Sequence, residues 1–100
     1  MDLISRYQYQ IQTLCMKYRV SELFVFGSIL EDSFSEESDI DFVVDFSDVS
    51  LEDYADNYFD LKFSLERLLK RKVDLLESRA IRNPYLLESI NFTKQLVYEA

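Results

Sequence analysis

The octet Asp39-Ile40-Asp41-Phe42-Val43-Val44-Asp45-Phe46 alternates between oil and acid. Side chains of a β-strand leave opposite faces in turn, so Ile40, Phe42, Val44 and Phe46 share one face and Asp39, Asp41, Val43 and Asp45 the other. The octet therefore reads as a strand with one face for a core and one face that is mostly carboxylate. Asp39 and Asp41 leave the acidic face roughly 6.6 Å apart at their backbones. At about 5 Å two ionised carboxylates repel by on the order of 3 kcal/mol at an effective dielectric near 20. Such a pair calls for a cation, a proton or generous exposure. The ordinary explanation is an exposed edge strand whose charge discourages aggregation.

The flanking sequence supplies the cover for the apolar face. Leu3, Ile4, Tyr7, Ile11, Leu14, Cys15 and Tyr18 recur at spacings of three and four, predicting one amphipathic helix over Leu3 to Tyr18. Glu22 to Phe26 contains a short apolar run and predicts a buried strand ending at the Gly27-Ser28 turn. Residues 29–38 are acidic and polar after Ile29-Leu30, predicting a helical turn and then a loop. Ser50 and Asp53 resemble a capping box, and the stripe from Leu51 through Tyr54, Tyr58, Leu61 and Leu65 to Leu69 predicts a long helix. Lys70, Arg71 and Lys72 would suit its carbonyl end. Val73 to Leu76 predicts a further strand. Asn83-Pro84 would cap a helix running to about Asn91, and Gln95 to Tyr98 predicts an edge strand. This order gives an α/β (α+β) fold, a small mixed sheet of about four strands with helices packed on it, in a single domain over residues 1–100. The strands are too few and too short for a doubly wound dinucleotide fold, and the Gly-Ser turn lacks the further glycines of a phosphate-binding fingerprint.

Composition removes several kinds of chemistry. The chain of 100 residues has no histidine, so no Ser-His-Asp or Cys-His nucleophile and no His-containing zinc site can be assembled. Catalysis would have to run on carboxylates, metal, hydroxyls or lysine. A net charge of -8 argues against direct binding to nucleic acid, whose affinity rests on lysine and arginine neutralising phosphates. Its lone cysteine, Cys15, cannot form an internal disulfide and falls on the apolar stripe of the first helix. With no apolar run long enough for a membrane span and no signal-peptide pattern, a cytoplasmic protein is expected.

Asp74 changes the reading of the acidic pair. If its strand lies beside the octet, about 4.8 Å away, its carboxylate comes within reach of Asp39 and Asp41. Three carboxylates at one spot suit two metal ions held about 3.5 to 4 Å apart, and all-oxygen ligation favours Mg²⁺ or Mn²⁺ over zinc. An EF-hand calcium loop is excluded, because position six counted from Asp39 is Val44 where that loop needs glycine. Ser28 as a covalent nucleophile has no base recognisable in sequence. Tyr54, Tyr58 and Tyr85 either complete a core or make a partner surface.

Phe26-Gly27-Ser28, then Asp39-Ile40-Asp41, Lys72-Val73-Asp74-Leu75 and Asn83-Pro84-Tyr85 together resemble the minimal nucleotidyltransferase family, of the MntA antitoxin type, within the DNA polymerase β-like superfamily. The likeness spans nearly the whole chain. It implies transfer of AMP from ATP to a hydroxyl with two Mg²⁺ ions. Gly27 and Ser28 would hold the triphosphate, Asp39 and Asp41 would bind both metals, and Asp74 would bind one metal and help deprotonate the attacking hydroxyl. The acceptor implied is a tyrosine of a HEPN-domain ribonuclease toxin, inactivated within a hetero-oligomeric toxin-antitoxin pair. An alternative from another class is an antitoxin that neutralises its partner by binding alone, and a third is transfer to RNA ends or a small-molecule hydroxyl. Relatives often carry a basic residue soon after the Gly-Ser pair, whereas this chain reads Ile29-Leu30-Glu31-Asp32. Phosphate charge would then be met by metal, by backbone, or by Lys62, Arg79 or Arg82.

Overall fold

In the computed structural model, which describes residues 2–31 and 34–100, the octet from Ile40 onward forms one of the two inner strands of a four-stranded sheet. The elements run α1 (Asp2–Arg6), α2 (Gln8–Lys17), β1 (Val20–Phe26), a 3-10 turn (Gly27–Leu30), β2 (Ile40–Phe46), α3 (Leu51–Leu69), β3 (Val73–Glu77), a second 3-10 turn (Ser78–Ala80), α4 (Pro84–Thr93) and β4 (Gln95–Glu99). The spatial order is β3-β2-β1-β4. β1 pairs antiparallel with both β2 and β4, while β2 and β3 run parallel, joined by α3 as a parallel crossover requires. The expected mixed sheet with an edge strand at the C-terminal end is what forms.

Ile40, Phe42, Val44 and Phe46 enter one core with Ile11 and Cys15 of α2 and with Leu61, Leu65 and Leu69 of α3. Burying such a side chain is worth about 1.5 to 3 kcal/mol each, which is how an acidic chain of this size holds together. Val43 on the opposite face is buried as well, yet lies outside that cluster, as does Ile90 of α4. Lys94, next after α4, sits 4.1 Å over the ring of Phe24, the β1 partner of Val43. Lys94 thus brings the end of α4 onto the face opposite that cluster, while Tyr85, Leu86 and Phe92 of α4 stay exposed.

Several boundaries differ from the expectations. The first helix is broken at Tyr7, whose φ of -109° and ψ of 18° interrupt the helical path between α1 and α2. The apolar spacing continues across the break because both pieces face the same core. β1 starts at Val20 rather than Glu22, β3 runs on to Glu77, α4 to Thr93 and β4 to Glu99. Ser50 and Asp53 do not form a capping box: the serine hydroxyl donates to the aspartate carboxylate at 2.9 Å instead of accepting from the helix. Asn83 does cap α4, its side chain accepting from the Tyr85 and Leu86 N–H groups at 2.9 and 3.3 Å. Of the loop expected over 29–38, Asp32 and Ser33 lie outside the described residues.

Candidate active site

β1 ends at Phe26, directly opposite Asp41 in β2, and the chain turns at once through Gly27. Gly27 has φ +75°, a left-handed conformation that side chains rarely adopt. A Cβ there would lie 3.2 Å from Asp41 Cγ and closer still to Oδ2. The chain's single glycine thus answers two demands, the hand of the turn and the approach of a carboxylate. Ser28 fastens the same strand: its backbone N–H donates to the Asp41 carboxylate and its hydroxyl donates to the Asp39 carbonyl at 3.3 Å.

Across the sheet, the parallel register sets Asp74 opposite Asp41. Asp39 lies one residue before β2, and both it and Asp74 are exposed, whereas Asp41 is half-buried. Burial pushes the Asp41 carboxyl above its ordinary value, and the charges of Asp74 and then Asp39 add to the rise, against the lowering effect of the Ser28 N–H. Among the described residues no three His, Cys, Asp or Glu side chains are gathered tightly enough to form a ready-made metal shell. An all-oxygen donor set in which two carboxylates raise the proton affinity of the Asp41 carboxylate has the chemistry a hard divalent cation fits.

A residue that sequence reading assigned to the helix end proves to hold the loop that leads into Asp39. α3 stops at Leu69, and Lys70 takes the left-handed φ of 55° that redirects the chain. Arg71 then reaches across: its Nη1 donates to the Ser35 carbonyl at 2.6 Å and the Ser38 carbonyl at 3.1 Å, and its guanidinium lies 4.5 Å over the ring of Phe34. Next along, the Lys72 carbonyl accepts from Ile40 N–H at 3.1 Å, and Glu66 Oε2 accepts from Val73 N–H at 2.9 Å. Position beside the Val73-Asp74 pair was the only signal in the sequence, and it did not separate a helix-end charge from a loop clamp.

Two of the cations considered for the triphosphate, Arg79 and Arg82, are placed elsewhere. Arg79 pairs with Asp45 at 3.8 Å, and Arg82 donates to the Arg79 carbonyl at 3.3 Å. Asp45 is four residues beyond Asp41, about 13 Å along the strand. Lys62 sits half-buried on α3. At that far end a cleft of about 470 Å³ is lined by Asp45, Phe46, Tyr54, Glu77 and Arg79 among others. Its polar groups satisfy one another, since Ser78 donates to Asp45 and the Tyr54 hydroxyl donates to Glu77 at 2.5 Å. Tyr54 and Tyr58 pack against the core, as tyrosines at helical spacing usually do, and Tyr85 is exposed.

The comparisons with known proteins agree with this fold. The family described as polymerase β nucleotidyltransferase matches residues 9–100. A Methanocaldococcus jannaschii protein named as a putative protein adenylyltransferase is 38% identical over 82 residues, which cover 82% of this chain and 79% of the relative. A solved structure named as a putative minimal nucleotidyltransferase has a TM-score of 0.77 at 28% identity, covering 95% of both chains. A complex of a tri-AMPylated Shewanella oneidensis HEPN toxin with its MNT antitoxin has a TM-score of 0.66 at 19% identity, covering 97% of this chain and 73% of that one, and shows the fold alone. No helix among the described residues is long and apolar enough to cross a membrane. By sequence and by fold, this chain belongs to the polymerase β nucleotidyltransferase family.

Proposed function

We propose that the chain is an Mg²⁺-dependent adenylyltransferase of the cytoplasm that moves AMP from ATP to a tyrosine hydroxyl of a HEPN-type toxin and so acts as an antitoxin in complex with it. The observation that carries the reading is the register of Asp41 opposite Asp74, with Asp39 two residues before and Gly27-Ser28 closed against Asp41. The names of the relatives support a protein acceptor. Apolar surface exposed on α4 by Tyr85, Leu86 and Phe92 also suits an acceptor that is itself a protein.

In the transfer, the acceptor oxygen bonds to the α-phosphorus, the bond from that phosphorus to the bridging oxygen breaks, and pyrophosphate leaves. Asp39, Asp41 and Asp74 would hold the metal, which supplies charge neutralisation on the phosphates and a lowered pKa for the acceptor hydroxyl. Asp74, exposed at the start of β3, receives the acceptor's proton. Gly27 allows the backbone to approach the triphosphate, and Ser28 holds Asp39 and Asp41 in place behind it.

The test uses the purified chain with its co-purifying partner, labelled ATP and Mg²⁺. Transfer of label to the partner that disappears in Asp41→Asn supports the mechanism, and transfer that survives intact in that variant overturns it. One observation favours the second reading, neutralisation by binding alone: Arg79 and Arg82, the arginines considered for the triphosphate, stand at the far end of the sheet. Protection of cells that persists in Asp39→Asn/Asp74→Asn would favour that reading over catalysis.

A further inference from the structure

We infer that Arg71 is a positioning residue for metal binding, tying the 34–38 loop to the start of β3 and thereby setting Asp39 relative to Asp74. The inference rests on reading Asp39, Asp41 and Asp74 as metal ligands. Asp74 is already held by strand pairing opposite Asp41, but Asp39 lies outside β2 at the end of an exposed loop. Its backbone is held on the strand side, where Ser28 donates to its carbonyl and Ile40 N–H donates to the Lys72 carbonyl, and the loop side is what remains to be fixed. Within the loop, Ser38 N–H donates to the Ser35 carbonyl and Ser35 N–H donates to Ser38 Oγ, each at 3.1 Å. These bonds close the turn on itself without fixing it to the sheet.

Arg71 supplies the attachment. One guanidinium nitrogen takes the carbonyls at both ends of the turn, and the plane of the group covers Phe34. Ser38 is the residue before Asp39, and Arg71 stands three residues before Asp74. The clamp thus ends beside a carboxylate on each side of the β2/β3 pair. Its own backbone is steadied by a bond from Arg71 N–H to the Glu66 carbonyl at 3.3 Å. A lysine could keep the charge and a carbonyl bond, but it has no planar group to stack on the ring. Partners that orient metal ligands in this way are typically worth about tenfold or more in metal affinity.

The test is Mn²⁺ binding to the full chain, followed by electron paramagnetic resonance, for wild type, Arg71→Ala, Arg71→Lys, Asp39→Asn and the two double variants with Asp39→Asn. The expected result is about tenfold weaker binding in Arg71→Ala at a nearly unchanged thermal midpoint, with partial recovery in Arg71→Lys. In the Asp39→Asn background either change at Arg71 should weaken binding by less than about twofold, since the clamp then has no ligand to place. An equal loss in both backgrounds, or no loss in the wild-type background, overturns the inference. Should Arg71→Ala fail to fold, the Arg71→Lys pair reads the same coupling. Wild type that binds no Mn²⁺ overturns the metal reading itself, whereas wild type that binds it undisturbed by Asp39→Asn overturns the role of Asp39 and its clamp.

Discussion

Gly27 and Asp41 meet so closely that the space a Cβ would need at residue 27 is taken by the Asp41 carboxylate. Both the φ of +75° and the contact oppose any side chain there. Gly27→Ala should lower stability by about 1 to 3 kcal/mol through backbone strain and clash, and should reduce AMP transfer further than the loss of folded protein explains. Urea midpoints and transfer rates measured on the same preparation check this. A variant of normal stability and rate would show that Asp41 turns away freely.

Asp74 carries charge next to Asp41, and its side chain makes no hydrogen bond or ion pair among the described residues that would replace what it costs in repulsion. Asp74→Asn should therefore leave the thermal midpoint at neutral pH unchanged or higher while transfer falls by at least about a hundredfold. Chelation of divalent ions should silence the wild type to a similar degree. A midpoint that drops by many degrees would mark Asp74 as structural.

Tyr54 and Glu77 sit at the far end of the sheet from the carboxylates, joined by a hydrogen bond of 2.5 Å. Burial, and then that bond to Glu77, hold the Tyr54 hydroxyl up at about 12. Tyr54→Phe should cost about 1 to 2 kcal/mol in chemical denaturation, because a half-buried carboxylate loses its donor. The transfer rate of the folded fraction should not move. A change in rate would tie the far cleft to catalysis.

Cys15 is fully enclosed, and burial pushes its thiol from 9.0 up to about 12. The unfolded chain loses that proton near pH 9 and the folded chain keeps it to about 12, so between these values the unfolded state binds fewer protons and stability falls as pH rises. The slope from this group is about 1.4 kcal/mol per pH unit. Cys15→Ala should be the less stable chain at pH 7, because it leaves a cavity. Its deficit against wild type, followed by urea midpoints, should shrink between pH 9 and 10.5. A constant deficit would mean that the thiol ionises in the fold as readily as in water.

Much of this was legible before any coordinates. The alternation of Ile40, Phe42, Val44 and Phe46 fixed the core face of β2, because a slip of one residue would bury Asp41 and Asp45. The stripe through Leu61, Leu65 and Leu69 placed α3 for the same reason. What escaped was tertiary in origin. Tyr7 breaks the first helix with no glycine or proline to mark it, and the apolar spacing runs straight through. Register between β2 and β3 is invisible locally, so Asp74 could be placed only conditionally. Arg71 read as a charge for a helix end because its partners, carbonyls more than thirty residues away, leave no trace in side-chain pattern.

The parallel pairing of β2 with β3 has a bearing on how the chain matures. Asp41 and Asp74 are 33 positions apart, and only the completed passage through the 19 residues of α3 brings them side by side. A molecule with β2 formed but β3 undocked has half a site. Any divalent ion that binds the finished pair will stabilise species in which β2 and β3 are docked and none in which they are apart, by an amount that grows with the logarithm of its concentration. Metal occupancy would then mark the newly made chain, admitting nucleotide only to copies whose β3 has docked against β2.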